Sequence, residues 1–118
     1  TGGPDVSKAT SVVVINHMMS EAELADDNEC KEIAEDTIDK CNGDFGKVAA
    51  LVIARPGREG VDADHVGKVF VQFEDKAASI KAAQGLYDVK FDDRVVKTDF
   101  IDEETMDKLK SQYPEQGQ

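Results

Sequence analysis

The sequence has little with which to staple itself. Among 118 residues only Cys30 and Cys41 carry thiols. On one helix, eleven positions apart, they would stand about 16 Å from each other, too far to bridge. His17 and His65 are the only histidines, and no zinc-ligand spacing can be drawn from these four side chains. Two buried thiols in a reducing compartment is the plain reading. Apolar runs are short, none approaching the ~20 residues of a membrane span, and no signal peptide is visible. The chain does not begin with Met, which suggests an excised domain, and localisation is not legible from a targeting segment. Basic residues are scarce too: 14 Lys and Arg face 25 Asp and Glu, for a net charge of −11. A surface of that sign repels phosphate backbones and suits basic peptides better, or it serves solubility alone. Catalytic groupings are also missing. There is no Gly-rich phosphate loop, no Cys/His pairing, and no triad around either histidine, so an enzyme is not expected.

What is present reads as one domain with one modest core. Residues 1–10 read as a loose linker or cloning remnant, 11–113 as the domain, and 114–118 as a disordered tail. Val12-Val13-Val14-Ile15 is a β-branched run that predicts a buried strand. A loop with about one helical turn follows over 18–27. From Glu29 to Cys41 the period lengthens: Cys30, Ile33, Ala34, Thr37, Ile38 and Cys41 share one helix face. Asp27 or Asn28 can cap its start and Asn42-Gly43 can end it. Its outer face is acidic, and residues 20–44 hold ten acids against two lysines. The negative charge is therefore local.

Val48 to Ile53 predicts a second strand and 55–64 a polar Gly/Pro loop. Val66 to Phe73 predicts a central strand, with Val69, Val71 and Phe73 toward the core and Phe70 on an open face. Asp75 caps a helix reaching Leu86, with Ser79, Ala82, Ala83 and Leu86 at helical spacing. Residues 87–93 form a turn, 94–100 the last strand, and a third helix runs from Asp102 to about Tyr113. The order β-α-β-β-α-β plus a helix predicts an α+β fold. This is the split βαβ, ferredoxin-type arrangement: a four-stranded antiparallel sheet with two helices on one face.

Val66-Gly67-Lys68-Val69-Phe70-Val71-Gln72-Phe73 lies close to the RNP1 pattern of RNA-recognition motifs (RRMs). Such motifs stack bases on aromatics of the central strands, at about 1–3 kcal/mol per base. Here Val14 and Lys68 occupy two aromatic positions. Only Phe70 survives, and it is as readily covered by the terminal helix as by RNA. Lys68 and Phe70 are thus weak RNA-binding candidates, and residual single-stranded RNA contacts are the alternative reading.

Several stretches, taken in register, resemble the U2AF homology motif, a degenerate RRM that binds peptides. They are Glu32-Ile33-Ala34-Glu35-Asp36, Gly67 to Phe73, Gln84-Gly85-Leu86, and Lys90-Phe91-Asp92-Asp93-Arg94-Val95-Val96. The resemblance implies a splicing module in the nucleus, with no cofactor and no metal. It implies a basic, tryptophan-containing peptide ligand. The branch-point binding protein and a U2 particle protein are the candidate partners, with RNA contacted by other domains of the full-length chain. The family's tryptophan enters a pocket between the two helices, against the Phe of an Arg-X-Phe loop. Phe91 matches that Phe, while Glu32 and Asp36 match acidic helix positions that can share one cationic segment. Val89 stands where the Arg is expected and Lys40 where its acidic partner is. Asp39, next to Lys40, could instead meet Lys90. The implied peptide-binding set is therefore Glu32, Asp36, Asp39, Lys40, Val89, Lys90 and Phe91.

Overall fold

The computed structural model describes residues 3–91 and 93–116. Four strands build the main sheet: β1 (Val12–Asn16), β2 (Val48–Ile53), β3 (Val69–Phe73) and β6 (Lys97–Ile101). They lie in the order β2-β3-β1-β6, antiparallel throughout, with Val14 paired to Phe70 on one side and to Asp99 on the other. Two long helices, α2 (Asp27–Asp44) and α3 (Lys76–Leu86), cover one face. Val13, Ile15, Leu51, Ile53, Val69, Val71 and Phe73 meet Cys30, Cys41, Ala82, Ala83 and Leu86 there. The α+β architecture predicted from the pattern is the one observed.

The short helix α1 (Glu21–Ala25) starts on a full capping box. Glu23 N–H donates to the Ser20 hydroxyl, and Ser20 N–H donates back to the Glu23 carboxylate. Two orphan helix donors are satisfied reciprocally, which holds this single turn against its own entropy. Helix α2 is capped one residue earlier than expected, by the Asp26 side chain accepting from Asn28 and Glu29 N–H. It also runs past Asn42-Gly43 to Asp44, where a Lys40–Asp44 pair at 2.9 Å supports the last turn. Asp75 precedes α3 but makes no side-chain cap. Gly46, at φ +151°, lets the chain leave α2 directly under α3. A Cβ there would stand 2.5 Å from the Ala78 Cβ.

The central strand is shorter than its sequence suggests. Gly67 takes φ +88°, reachable at low cost without a Cβ, and its N–H bonds the Ala54 carbonyl at 2.7 Å. Regular pairing therefore begins at Val69. The last strand is split as well. β4 (Lys90–Phe91) and β5 (Arg94–Val95) form a small separate ladder before buried Val96, and β6 follows.

The expected open sheet face is closed. Helix α4 (Glu103–Gln112), capped by Asp102, lies across it. Met106, Leu109 and Tyr113 pack on Val12, Val14, Ala50, Val52 and Phe70 in a second apolar cluster. Phe70 has no solvent exposure, and the edge of the His65 ring stands against it, centroids 5.5 Å apart.

The tail expected to be disordered is anchored as far as it is described. The Gln116 carboxamide accepts from Ile53 N–H at 2.7 Å and donates to Ile53 C=O at 3.0 Å. Arg58 bonds Glu115 at 2.7 Å and lies 4.6 Å over the Tyr113 ring. Residues 117 and 118 lie outside the described residues. At the other end, Asp5 caps a 3-10 turn over Val6–Lys8, Ala9 is buried, and the Thr10 hydroxyl bonds the Ile101 carbonyl.

Candidate peptide-binding site

Sealing one sheet face and packing two helices on the other leaves clefts at the margins. One cavity of about 180 Å³ lies between α2, α1 with the segment preceding it, and the β4–β5 ladder. Ile33, Asp36 and Thr37 reach it from α2, Met18 and Glu23 from the β1–α1 side, and Phe91 and Arg94 from the ladder. The helical period explains the α2 contribution, since positions i, i+3 and i+4 share a face. Phe91 and Arg94 arrive together because they are cross-strand partners. The Thr37 hydroxyl points at the Met18 sulfur, 3.8 Å away, and Met18 is buried.

Of the residues implied by resemblance, Phe91 and Asp36 line this cavity. Glu32 and Asp39 are exposed on α2 and Lys90 on the ladder, none of them in the lining. Among the described residues no ion pair joins Asp39 to Lys90, and Lys40 turns along its own helix to Asp44. Val89 is half-buried at the base of the ladder, where its carbonyl accepts Val96 N–H at 2.8 Å. Helix α3 contributes nothing to the lining, so the cavity sits between α2, α1 and the ladder rather than between the two helices that cover the sheet.

Sequence reasoning missed Glu23, Arg94 and Met18. Arg94 Nη2 lies 3.0 Å from Glu23 Oε1, and both side chains are about one quarter exposed, at 27% and 26%. Asp36 enters no ion pair within the described residues, so the lining keeps one uncompensated carboxylate.

Three larger clefts lie elsewhere among the described residues. In one, of about 520 Å³, Tyr87 stands beside Asp88, an acid already spent on Lys97. Two others remain. One of about 360 Å³ runs between α2 and the edge strand β2, over Ala34, Ile38, Leu51 and Ile53. Its charged rim is largely spent within the chain, Asp27 on Arg55 and Glu115 on Arg58. The other, of about 550 Å³, holds Lys68 with His17 and Val66, away from Phe70. Neither of these two is lined by a phenylalanine or tyrosine. The two thiols are unsuited to reaction: burial pushes the Cys30 thiol up and the Cys41 thiol to about 11. Among the described residues no group of His, Cys, Asp and Glu is arranged to hold a metal ion, and no helix is long and apolar enough to cross a membrane.

No family model matches the chain. Curated relatives do. The chain is 40% identical over 83 residues to the B form of the splicing factor U2af large subunit from Nicotiana plumbaginifolia, a match covering 70% of this chain and 14% of that protein. It is 34% identical over 96 residues to the A form of the splicing factor U2af large subunit from Oryza sativa subsp. japonica, covering 80% of this chain and 16% of that one. The chain thus spans about one seventh of the length of these relatives. A solved structure described as "Structure of RNA15 RRM" superposes with a TM-score of 0.54 over 84% of this chain and 98% of the other, at 17% identity. That likeness is one of fold.

Proposed function

We propose, from the premise that this domain is a U2AF homology motif homologous to a segment of the U2AF large subunits, that it is a peptide-binding module of a splicing factor. Its ligand is a short basic peptide whose tryptophan enters the cavity beside Phe91. It serves 3′ splice-site recognition in the nucleus, and its partner is another splicing factor, the branch-point binding protein or a U2 particle protein. RNA is left to other domains of the full-length chain.

The observation that carries the reading is the pairing of a ring-sized cavity with one acid in its lining, Asp36, unpaired among the described residues. A cavity of about 150 Å³ holds benzene, and this one measures about 180 Å³ with Ile33, Met18 and Phe91 in its walls. Indole adds an N–H that suits a rim with a carboxylate, here Asp36. Glu32 lies one turn from Asp36 on the exposed face of α2, where basic residues next to the tryptophan can settle. RNA binding through the sheet is disfavoured by helix α4, which occupies the surface where bases would stack.

The chain contains no tryptophan, so emission from a tryptophan peptide reports its own burial without background. Titration of the protein into an Arg/Lys-rich tryptophan peptide should shift that emission to the blue and saturate. The affinity should fall as salt rises, because exposed rim charges are screened within about 8 Å at physiological ionic strength. A Trp→Ala peptide that binds equally well by calorimetry would sink the proposal. So would amide shifts that cluster on α4 rather than around Phe91.

A further inference from the structure

Phe91 and Asp36 supply two sides of the cavity; a third is a charged wall. Among the described residues Arg94 is held there by the chain itself at three points. Its Nη2 donates to Glu23 Oε1 at 3.0 Å and to the Met18 carbonyl at 3.1 Å, and its Nε donates to the His17 carbonyl at 3.3 Å. His17 adopts φ 70°, a left-handed turn that side chains seldom take. The turn presents two successive carbonyls to one guanidinium. Glu23 is fixed in its own right, since the same Oε1 accepts Ser20 N–H at 2.8 Å in the capping box. A guanidinium tied down on this side has little freedom left to lose when a ligand arrives.

We propose that Arg94 is a ligand-contacting wall of the pocket and Glu23 the positioning residue that sets it, together closing a pocket that has no Arg-X-Phe arginine. This rests on the peptide reading above and adds the origin of selectivity. A ring entering the cavity meets the Phe91 side chain and the Arg94 guanidinium. A cation beside an aromatic ring favours indole over phenyl, because indole has the stronger π-face. The guanidinium stays cationic toward a ring in contact with it, while its pair with Glu23 is neutral as a whole, so the wall does not repel basic residues farther out. Asp36 stays free to attract them.

The test compares two basic peptides differing only by Trp or Phe at the ring position, titrated calorimetrically into the full chain. In wild type the Trp peptide should bind more tightly. Arg94→Lys keeps the charge and loses the planar fork. It should weaken the Trp peptide about tenfold and the Phe peptide by less than about threefold, erasing most of the preference. Glu23→Gln keeps the cap and an acceptor oxygen and should reduce the preference at least about threefold. A purely structural role would instead weaken both peptides alike, in step with a lower melting temperature. Equal weakening, or an unchanged preference in Arg94→Lys, overturns the assignment while leaving the peptide reading intact. Should Arg94→Lys fail to fold, an unchanged preference in Glu23→Gln overturns it. Absence of Trp-peptide binding in wild type removes the peptide reading and this one together.

Discussion

Phe91→Ala is expected to cost at least about 2 kcal/mol of affinity for a tryptophan peptide, roughly 30-fold in Kd. Phe91 is half-buried on the β4–β5 ladder and packs against the main core as well as lining the cavity. Truncation removes the ring that an indole would stack on and leaves a widened, wetter cleft. Because the side chain is not fully buried, the fold should survive with a modest loss of stability. The affinity from emission titration and the melting temperature by circular dichroism separate the two effects. Unchanged affinity with a lowered melting temperature would make Phe91 a core residue only, and the site would have to lie elsewhere.

Phe70→Ala is expected to act on folding and not on RNA. Its side chain sits with Val14, Val52, Met106, Leu109 and Tyr113 in the cluster that α4 closes. Large-to-small changes at such positions cost about 3–5 kcal/mol, transfer and cavity contributions together. For a domain whose total stability is about 5–15 kcal/mol, the melting temperature should drop by roughly 10–20 °C. Pyrimidine-rich single strands should bind neither wild type nor variant at micromolar concentration. A stable Phe70→Ala protein that loses measurable RNA affinity would mean that α4 leaves the sheet in solution and that the stacking surface is in use.

The element order was legible because each element carries its own period: a β-branched run for β1, a 3.6-residue repeat for α2, small residues for α3. The sealed sheet face is not decided by β3 alone, whose Phe70 and Gln72 look like an outward row that either the terminal helix or a ligand could cover. The deciding signal lay in β1, where Val12 to Ile15 is apolar at every position, the mark of a strand covered on both sides. Met106, Leu109 and Tyr113, at i, i+3 and i+7, were the matching face in search of a partner. Phe91 and Asp36 were reachable through family resemblance. Arg94 and Glu23 were not, because their contact spans 71 residues and only the Ser20–Glu23 capping box leaves a local trace. Lys40 was assigned a distant role but finds Asp44 one turn away, a neighbour always within reach on a helix.

The clip that Gln116 places on β2 has a consequence for how the molecule behaves among copies of itself. An edge strand offers a row of main-chain donors and acceptors on which a foreign strand can lengthen the sheet, the first step of fibril growth. At Ile53 that row is interrupted, because a side-chain amide has satisfied both the N–H and the C=O. One glutamine thereby blocks sheet extension at that end of β2, a task that falls to the turn that follows α4.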